Sequence, residues 1–529
     1  MKKYLILLVV LLLVFLQGCS SQTSGTTQSN INKTLVIGIE SEADVLDPDR
    51  AGGWVTYRIN RQIHEGLLTE DLSAASKSQS VPPLKPSLAT SWDVSKDGLH
   101  YTFHLRKNVK FQDGTPFNAQ AVEFNFRRLI DKNFKYYDQR SASNLTNTVS
   151  DIKSMKLIDD NTIEFTMKKP FSAFLRMLAG SSQVAMISPT ALKKYGNNGY
   201  SEHPVGTGPF EFQERVKGEK IVLVRNPNYW GKEPKLQRVI FVPLSDDSAR
   251  VAALESGQVD MIAVPPPDAI KSLKEKGFNI EYGAPPHVWF LSPNFNNPYM
   301  KNLKVRQAIA MAIDRKGMAK ELLKNTVTPA YSAQSPANDA YDPSFVDYPY
   351  DPKKAKQLLA EAGYPNGFTT TFETSVDGSG QLIPVPMAEW IQQDLAKIGI
   401  KVKLQTYEWI SYLGKWSDMS SSVGFNQMSW GMSTPYYLYN IAYSTSGANA
   451  GKYSNPAFDK VVNEAMTATN TETATEDWKK ANELIAKDAA IIPIVSDKAP
   501  YAMANYVKGF VVPNEEWYDL TNVYIKKSN

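Results

Sequence analysis

A helix that leads directly into a strand recurs on both sides of residue 290, and this feature limits the fold more than any other. Before that point, the spacing of apolar residues predicts a helix over 246–254 and a strand over 259–262. After it, the same pattern predicts a helix over 387–397 and an alternating strand over 400–404. Each helix must bury an apolar face against a sheet, so two separate sets of these units predict at least two α/β lobes.

Length and composition agree with several folded domains and exclude some classes of protein. A chain of 529 residues has room for about three to four domains of roughly 150 residues each. The apolar fraction of 42% excludes disorder over the whole chain. Lys and Arg total 58 against 54 Asp and Glu, a balance that does not indicate a nucleic-acid-binding protein. A single cysteine excludes an internal disulfide and a cysteine-ligated metal site.

The N-terminus predicts export and lipid anchoring. Lys2 and Lys3 precede an unbroken apolar run over 4–16, whose 13 residues fall short of the roughly 20 that span a membrane as a helix. The run is therefore typical of a signal peptide, and it ends in the sequence LQGC, which resembles the lipobox of bacterial lipoproteins. We expect a signal peptide over 1–18, acylation of Cys19 and a small, polar tether over 19–33. The alternative is a buried core cysteine.

Motifs for catalysis or cofactor binding are absent from the sequence. It contains no GxxxxGK[ST] phosphate loop, no GxGxxG after a strand, no GxSxG and no HExxH. His100 and His104 are four residues apart, a spacing that suits a metal on a helix, but strict alternation over 99–105 predicts a strand with both side chains on its outer face. We therefore predict no catalytic residue, no metal site and no cofactor.

Aromatic residues are concentrated between residues 407 and 443, where they are interleaved with Ser, Gly, Asn and Thr. Amphipathic rings among small polar residues are typical of a groove that binds peptide or carbohydrate. An aromatic-rich core segment is the alternative explanation. The ten rings are Tyr407, Trp409, Tyr412, Trp416, Phe425, Trp430, Tyr436, Tyr437, Tyr439 and Tyr443.

Short segments along most of the chain resemble the signature of the family 5 extracellular solute-binding proteins. This family includes the oligopeptide-, dipeptide- and nickel-binding proteins of ABC importers. Each match is weak alone, but together they follow the order of the family. The segments are 64–67 (HEGL), 88–98 (LATSWDVSKDG), 101–106 (YTFHLR), 109–117 (VKFQDGTPF), 206–210 (GTGPF), 226–230 (NPNYW), 305–309 (VRQAI), 313–315 (IDR), 353–363 and 399–402 (GIKV).

The resemblance implies a class II periplasmic-binding-protein-like fold, an α/β fold with two lobes, three domains, a hinge and an interlobe cleft. Proline-rich sequence near residue 285 agrees with one of the two implied hinge crossings. The expected division is lobe I part a over 34–65, an inserted domain of lobe I over 66–203, lobe I part b over 204–285, lobe II over 286–497 and the C-terminal part of lobe I over 498–529.

The resemblance also implies a set of ligand-binding residues. Trp409 and Trp430 match tryptophans of the cleft, and Gly431, Met432 and Ser433 match a strand-like stretch that pairs with an extended ligand. From the other lobe, Trp54, Thr56 and Tyr57 match a loop that approaches the ligand from beneath. Tyr137, or its neighbour Tyr136, is expected to line the far end of the cleft.

One position departs from the pattern of the peptide-binding members. These often carry an aspartate that pairs with the α-ammonium of the peptide, whereas this sequence has Ser433 there. A buried ammonium without a charged partner costs several kcal/mol. An oligopeptide is our first expectation for the ligand, and a metal chelate, an opine-like compound or an oligosaccharide are the alternatives.

The resulting hypothesis is a monomeric, lipid-anchored substrate-binding protein on the extracytoplasmic face of the cell membrane, or in the periplasm where an outer membrane exists. It would deliver its ligand to ABC permease subunits, with no nucleic-acid partner. A sensory or pheromone-binding lipoprotein would have the same fold, because fold does not fix function. A surface hydrolase is a third alternative.

Overall fold

The computed structural model describes residues 33–73, 81–180, 184–283, 286–378, 382–513 and 517–526. The expected signal peptide, Cys19 and all of the expected tether except Lys33 lie outside these residues. Among the described residues, no helix has both the length and the apolar character that crossing a membrane requires.

Seven strands from distant parts of the chain form the first sheet. Its central strand Thr34–Ile39 pairs in parallel with Arg238–Pro243 and Met261–Ala263. Apolar side chains of the central strand are buried in a core that also receives the helix Trp54–Ile63. Helices Asp247–Glu255 and Ala269–Glu275 complete this α/β unit. The spatial order of the strands is Asn279–Glu281, Tyr501–Met503, Met261–Ala263, Thr34–Ile39, Arg238–Pro243, Lys220–Arg225 and Phe210–Val216.

Six strands from the second half of the chain form the second sheet. The chain enters it at His287 and leaves it after Asp497. The spatial order is Val327–Pro329, Ile492–Asp497, His287–Pro293, Val423–Gly431, Thr369–Ser375 and Lys401–Tyr407. The helices of this part are Leu303–Ala312, Arg315–Gly317, Met318–Leu322 (a π-helix), Pro352–Glu361, Pro384–Lys397, Trp409–Trp416, Tyr437–Ala442, Pro456–Thr467 and Thr471–Lys487.

An antiparallel four-stranded sheet is formed by residues that follow the strand Thr34–Ile39 and precede the strand Phe210–Val216 of the first sheet. We call this part the inserted domain. Its strands are, in spatial order, Ala89–Val94, His100–Leu105, Thr162–Met167 and Ile152–Asp159. Its helices are Ala119–Ile130, Gln139–Asn144, Thr146–Val149, Phe174–Ala179, Pro189–Gly199 and Tyr200–Glu202 (3₁₀). Two small sheets pair Leu68–Glu70 with Leu84–Pro86, and Val507–Lys508 with Tyr524–Ile525.

Several local predictions match the structure closely. In the strand His100–Leu105, the apolar side chains are buried and the two histidines are half-buried, as strict alternation predicts. Asp351 followed by Pro352 predicts the start of a helix, and Asp351 caps the helix Pro352–Glu361 by accepting the Lys354 backbone N–H at 2.9 Å. The expected domain boundaries stay a prediction, because strand pairing shows which segments share a sheet and does not define where a domain ends.

The apolar pattern over 303–323 suggests one long helix, and this expectation is wrong. The first helix ends at Ala312, and Ile313 is extended. Asp314 then caps a new turn, its carboxylate accepting the Gly317 backbone N–H at 2.8 Å. The break lets the buried Arg315 donate to the carbonyls of Ala310 and Pro493, at 2.8 and 2.7 Å. A helical repeat of apolar residues could not reveal a guanidinium that turns into the interior.

Candidate functional site

Strand register brings several chain segments of the second lobe to one edge of its sheet. Thr369–Ser375, Lys401–Tyr407 and Val423–Gly431 run in parallel, so their carboxyl ends lie at the same edge. His287 pairs with Gly431 on a neighbouring antiparallel strand, which places the entry of the chain at this edge as well. Ser496 pairs with Val288, so the exit of the chain after Asp497 lies there too.

The chain crosses between the two sheets twice, and both crossings meet the first sheet at the edge where its parallel strands end. Ile39, Pro243 and Ala263 end its three parallel strands. Tyr501 pairs with both Ala263 and Glu281, so the chain leaves and re-enters this sheet at its carboxyl edge. In open α/β sheets, ligands bind outside the carboxyl ends of the strands. The region between the two edges is therefore the candidate ligand site.

Trp409 and Trp430 both lie at the carboxyl edge of the second sheet. Trp409 opens the helix Trp409–Trp416 directly after a strand, and Trp430 is the penultimate residue of another. Both side chains are half-buried. The Trp409 ring lies against the backbone of Gly378, where any side chain would collide with it. The Trp430 ring is 5.5 Å from that of Trp416, centroid to centroid, so each tryptophan is held on one side and open on another.

Within the stretch 431–433, which is expected to pair with a ligand, the backbone of Met432 bonds to other parts of the protein. The Met432 backbone N–H donates to the Pro286 carbonyl at 2.7 Å. Its carbonyl accepts from Ser335 Oγ at 3.1 Å and from Asn338 Nδ2 at 2.8 Å, and its side chain is fully buried. These bonds engage the backbone N–H and carbonyl of Met432 within the protein, and its contact with ligand stays a prediction. Gly431 and Ser433 remain candidates.

The residues of the first lobe also differ from expectation, because Trp54, Thr56 and Tyr57 form the first turn of a helix and not a loop. The buried Thr56 hydroxyl donates to Asp44 Oδ1 at 2.7 Å and accepts the Asp44 N–H at 3.3 Å. Thr56 therefore fixes the preceding loop, and its contact with ligand stays a prediction. Trp54 lies across the gap against His287, with ring centroids 3.5 Å apart. Tyr57 is half-buried and donates its hydroxyl to the Ala51 carbonyl at 3.2 Å.

Tyr137 lies in the inserted domain beside the loop that follows the central strand of the first sheet. Its neighbour Asp138 forms an ion pair with Arg50 at 2.9 Å, and Arg140 forms another with Asp44 at 2.9 Å. The Tyr137 side chain is half-buried, and its hydroxyl donates to Gln139 Oε1 at 3.1 Å. The structure thus brings Tyr137 close to the loop that Thr56 fixes, and its contact with ligand stays a prediction.

Sequence reasoning missed a group of titratable residues between the two sheets. Arg58 pairs with Glu40 at 2.6 Å, and its charge reaches His287 and Asp497 of the second lobe. Burial, reinforced by Arg58, holds the pKa of His287 well below its ordinary value. Burial raises the pKa of Asp497 to about 6. These residues are far apart in sequence, and they come together only because the chain crosses between the two sheets at His287 and after Asp497.

Two α/β lobes joined by two crossings at facing sheet edges define the fold of the periplasmic binding proteins. The model of the family "Bacterial extracellular solute-binding proteins, family 5 Middle" matches residues 83–450. The chain belongs to this family of extracellular solute-binding proteins.

Three similar proteins cover 81%, 90% and 93% of the chain. Heme-binding protein A of Haemophilus influenzae is 34% identical over 81% of this chain and 82% of its own length. Glutathione-binding protein GsiB of Shigella flexneri is 33% identical over 90% of this chain and 92% of its own. The solved structure of the ABC transporter-associated protein DppA from Helicobacter pylori, in complex with peptide STSA, has a TM-score of 0.79 and 29% identity. It covers 93% of this chain and 98% of the DppA chain.

These relationships assign the class of activity. The chain is an extracytoplasmic substrate-binding protein of the ABC importer type and not an enzyme. Its chemistry is therefore reversible binding between two lobes, which close around a ligand by bending at a few hinge residues.

Proposed function

We propose that the protein is a lipid-anchored receptor that captures an oligopeptide between its lobes and delivers it to an ABC permease. One arrangement carries the proposal: Trp409 and Trp430 lie at a sheet edge that faces Trp54 of the other lobe. Aromatic rings provide apolar contact area for peptide side chains. The backbone at Gly431 and Ser433 can bond to the main chain of an extended peptide, a form of strand addition.

The similar proteins support a peptide ligand. The Helicobacter pylori structure contains the peptide STSA, and the Shigella flexneri relative is named for glutathione, a tripeptide. Recognition of the repeating amide unit would tolerate many side-chain sequences. Among the described residues, no three His, Cys, Asp or Glu side chains are grouped so that they could hold a metal ion.

The ligand that the protein acquires in its own host tests this proposal. We expect mass spectrometry of ligand released from purified protein to identify peptides, and calorimetry to detect binding of STSA. A bound oligosaccharide, opine or metal chelate would contradict the peptide assignment.

Transport and sensing are separated by deleting the gene. Uptake of labelled STSA should fall in the deletion strain and return when the wild-type gene is restored. Unchanged uptake together with a lost signalling response would instead support the sensory alternative.

The anchor is tested by Cys19→Ser, which removes the thiol that acylation requires. Two acyl chains hold a protein on a membrane, since each buried methylene contributes about 0.8 kcal/mol. We expect the variant to leave the membrane fraction for the medium or periplasm, whereas Ser20→Ala should remain bound. Membrane association of the Cys19→Ser variant at the wild-type level would contradict lipid anchoring.

A further inference from the structure

The inserted domain touches the second lobe directly, at a contact separate from the two crossings. The Ser172 backbone N–H donates to the Met466 carbonyl at 2.9 Å, and Ser172 Oγ donates to the Ala465 carbonyl at 2.9 Å. Beside these bonds, the rings of Phe171 and Tyr436 meet edge to face, with centroids 5.3 Å apart. Both rings are buried, although they belong to segments 265 positions apart in sequence.

We propose that Phe171 and Ser172 form a latch with Tyr436, Ala465 and Met466 that holds the lobes together and slows ligand release. The proposal rests on the proposed function for its ligand and on the contacts between the two domains for its geometry. Opening of the lobes by hinge bending must break this contact, because it joins the inserted domain to the second lobe.

The helix Pro456–Thr467 explains why the latch is reversible. Ala465 and Met466 lie in its last turn, where backbone carbonyls have no partner within the helix. Ser172 supplies donors to both in this structure, and water can replace these donors when the lobes separate. The hydrogen bonds therefore set the register of the latch, and the energetic difference between its states comes mainly from the buried rings.

Both sides of the latch are held firmly by their own domains. Phe171 packs on Phe174, and its carbonyl accepts the Tyr101 hydroxyl at 3.1 Å, which fixes it to the inserted domain. Tyr436 stacks on Tyr439 and contacts Trp478 within the second lobe. Rigid presentation of the two rings lets the contact form without ordering a flexible segment.

Hydrogen exchange across the latch tests it without depending on the ligand. Tyr436→Ala, a change in the second lobe, should speed exchange of the Ser172 amide in the inserted domain about tenfold or more, since 1.4 kcal/mol is a factor of ten. Tyr350→Ala is the control, because Tyr350 is an exposed tyrosine of the second lobe. It should leave Ser172 exchange near the wild-type rate.

Release of the probe peptide STSA provides a second measurement. Tyr436→Ala and Phe171→Ala should each raise the dissociation rate of STSA about tenfold, with Ser154→Ala on the exposed strand of the inserted domain as control. Unchanged exchange at Ser172 in Tyr436→Ala would overturn the latch, whether or not STSA binds. Failure of wild-type protein to bind any peptide would overturn the proposed function, while the exchange result would still decide the latch.

Discussion

The aromatic segment 407–443 supplies two regions that the structure uses differently. Trp409 and Trp430 are half-buried at the carboxyl edge of the second sheet. Tyr436 and Tyr437 are buried a few residues later, where Tyr436 meets Phe171 of the inserted domain. The comparison teaches that one stretch of rings can provide both the sheet edge that we propose binds ligand and a contact between lobes. Composition alone does not separate these uses.

The core alternative is correct for part of the segment. Tyr412, Trp416 and Phe425 are buried in the second lobe, as are the two adjacent tyrosines that follow Pro435. The Tyr412 hydroxyl bonds to the Gln427 carbonyl, which satisfies its polar tip inside the protein. Strand and helix periodicity decide which rings turn inward, so the groove assignment narrows to the half-buried rings.

The largest expected effect comes from removing a ring at the sheet edge that we propose binds ligand. Trp430→Ala should weaken ligand binding by about 1–3 kcal/mol, the scale of lost aromatic contacts at binding sites. Leu413→Ala, at an exposed position of the helix Trp409–Trp416, is the control and should bind like wild type. Calorimetry with STSA measures both variants. Equal affinity for wild type and Trp430→Ala would remove the distinction between the two aromatic regions.

A smaller effect is expected from restoring the carboxylate that peptide-binding relatives often have. Ser433→Asp should tighten binding of STSA about tenfold, because hydrogen bonds to charged groups contribute roughly 1.5–3 kcal/mol. N-acetylated STSA lacks the ammonium and should gain nothing. If both peptides changed alike in calorimetry, Ser433 would not lie where the peptide amine binds.

The smallest expected effect is a dependence of stability on pH. It arises from Asp497 at the crossing between the lobes, whereas the latch contains no charged side chain. The pKa of Asp497 is about 6 in the folded protein and 3.8 as its ordinary value, so folding favours the protonated form. The stability this provides is complete below pH 3.8 and is lost as pH rises through 6. Asp497→Asn should therefore gain about 1 kcal/mol relative to wild type between about pH 5 and pH 8.

Denaturant unfolding of both proteins at about pH 5 and pH 8 measures this difference. The substitution keeps the local hydrogen bond, because the side-chain amide oxygen of the variant can still accept from the Ala499 N–H, which donates to Asp497 in the wild type. His287 titrates in the opposite sense, because burial lowers its pKa, and it is present in both proteins. A pH-independent difference between the two proteins would contradict the assignment to Asp497.

Local sequence patterns predict local structure better than they predict contacts. The alternation over 99–105 and the cap at Asp351 involve neighbouring residues, and both are found in the structure. The resemblance places Thr56 and Met432 at the ligand, but their polar groups bond to residues that only folding brings near. The same limit explains why the contact between Ser172 and Met466 could not be foreseen.

The most direct test of the central claim is a crystal structure of the protein purified with the ligand from its own host. We predict ligand between the lobes, in contact with Trp409 and Trp430 on one side and Trp54 on the other. Ligand bound elsewhere, with these three rings covered by protein alone, would contradict the claim that the facing sheet edges form the binding site.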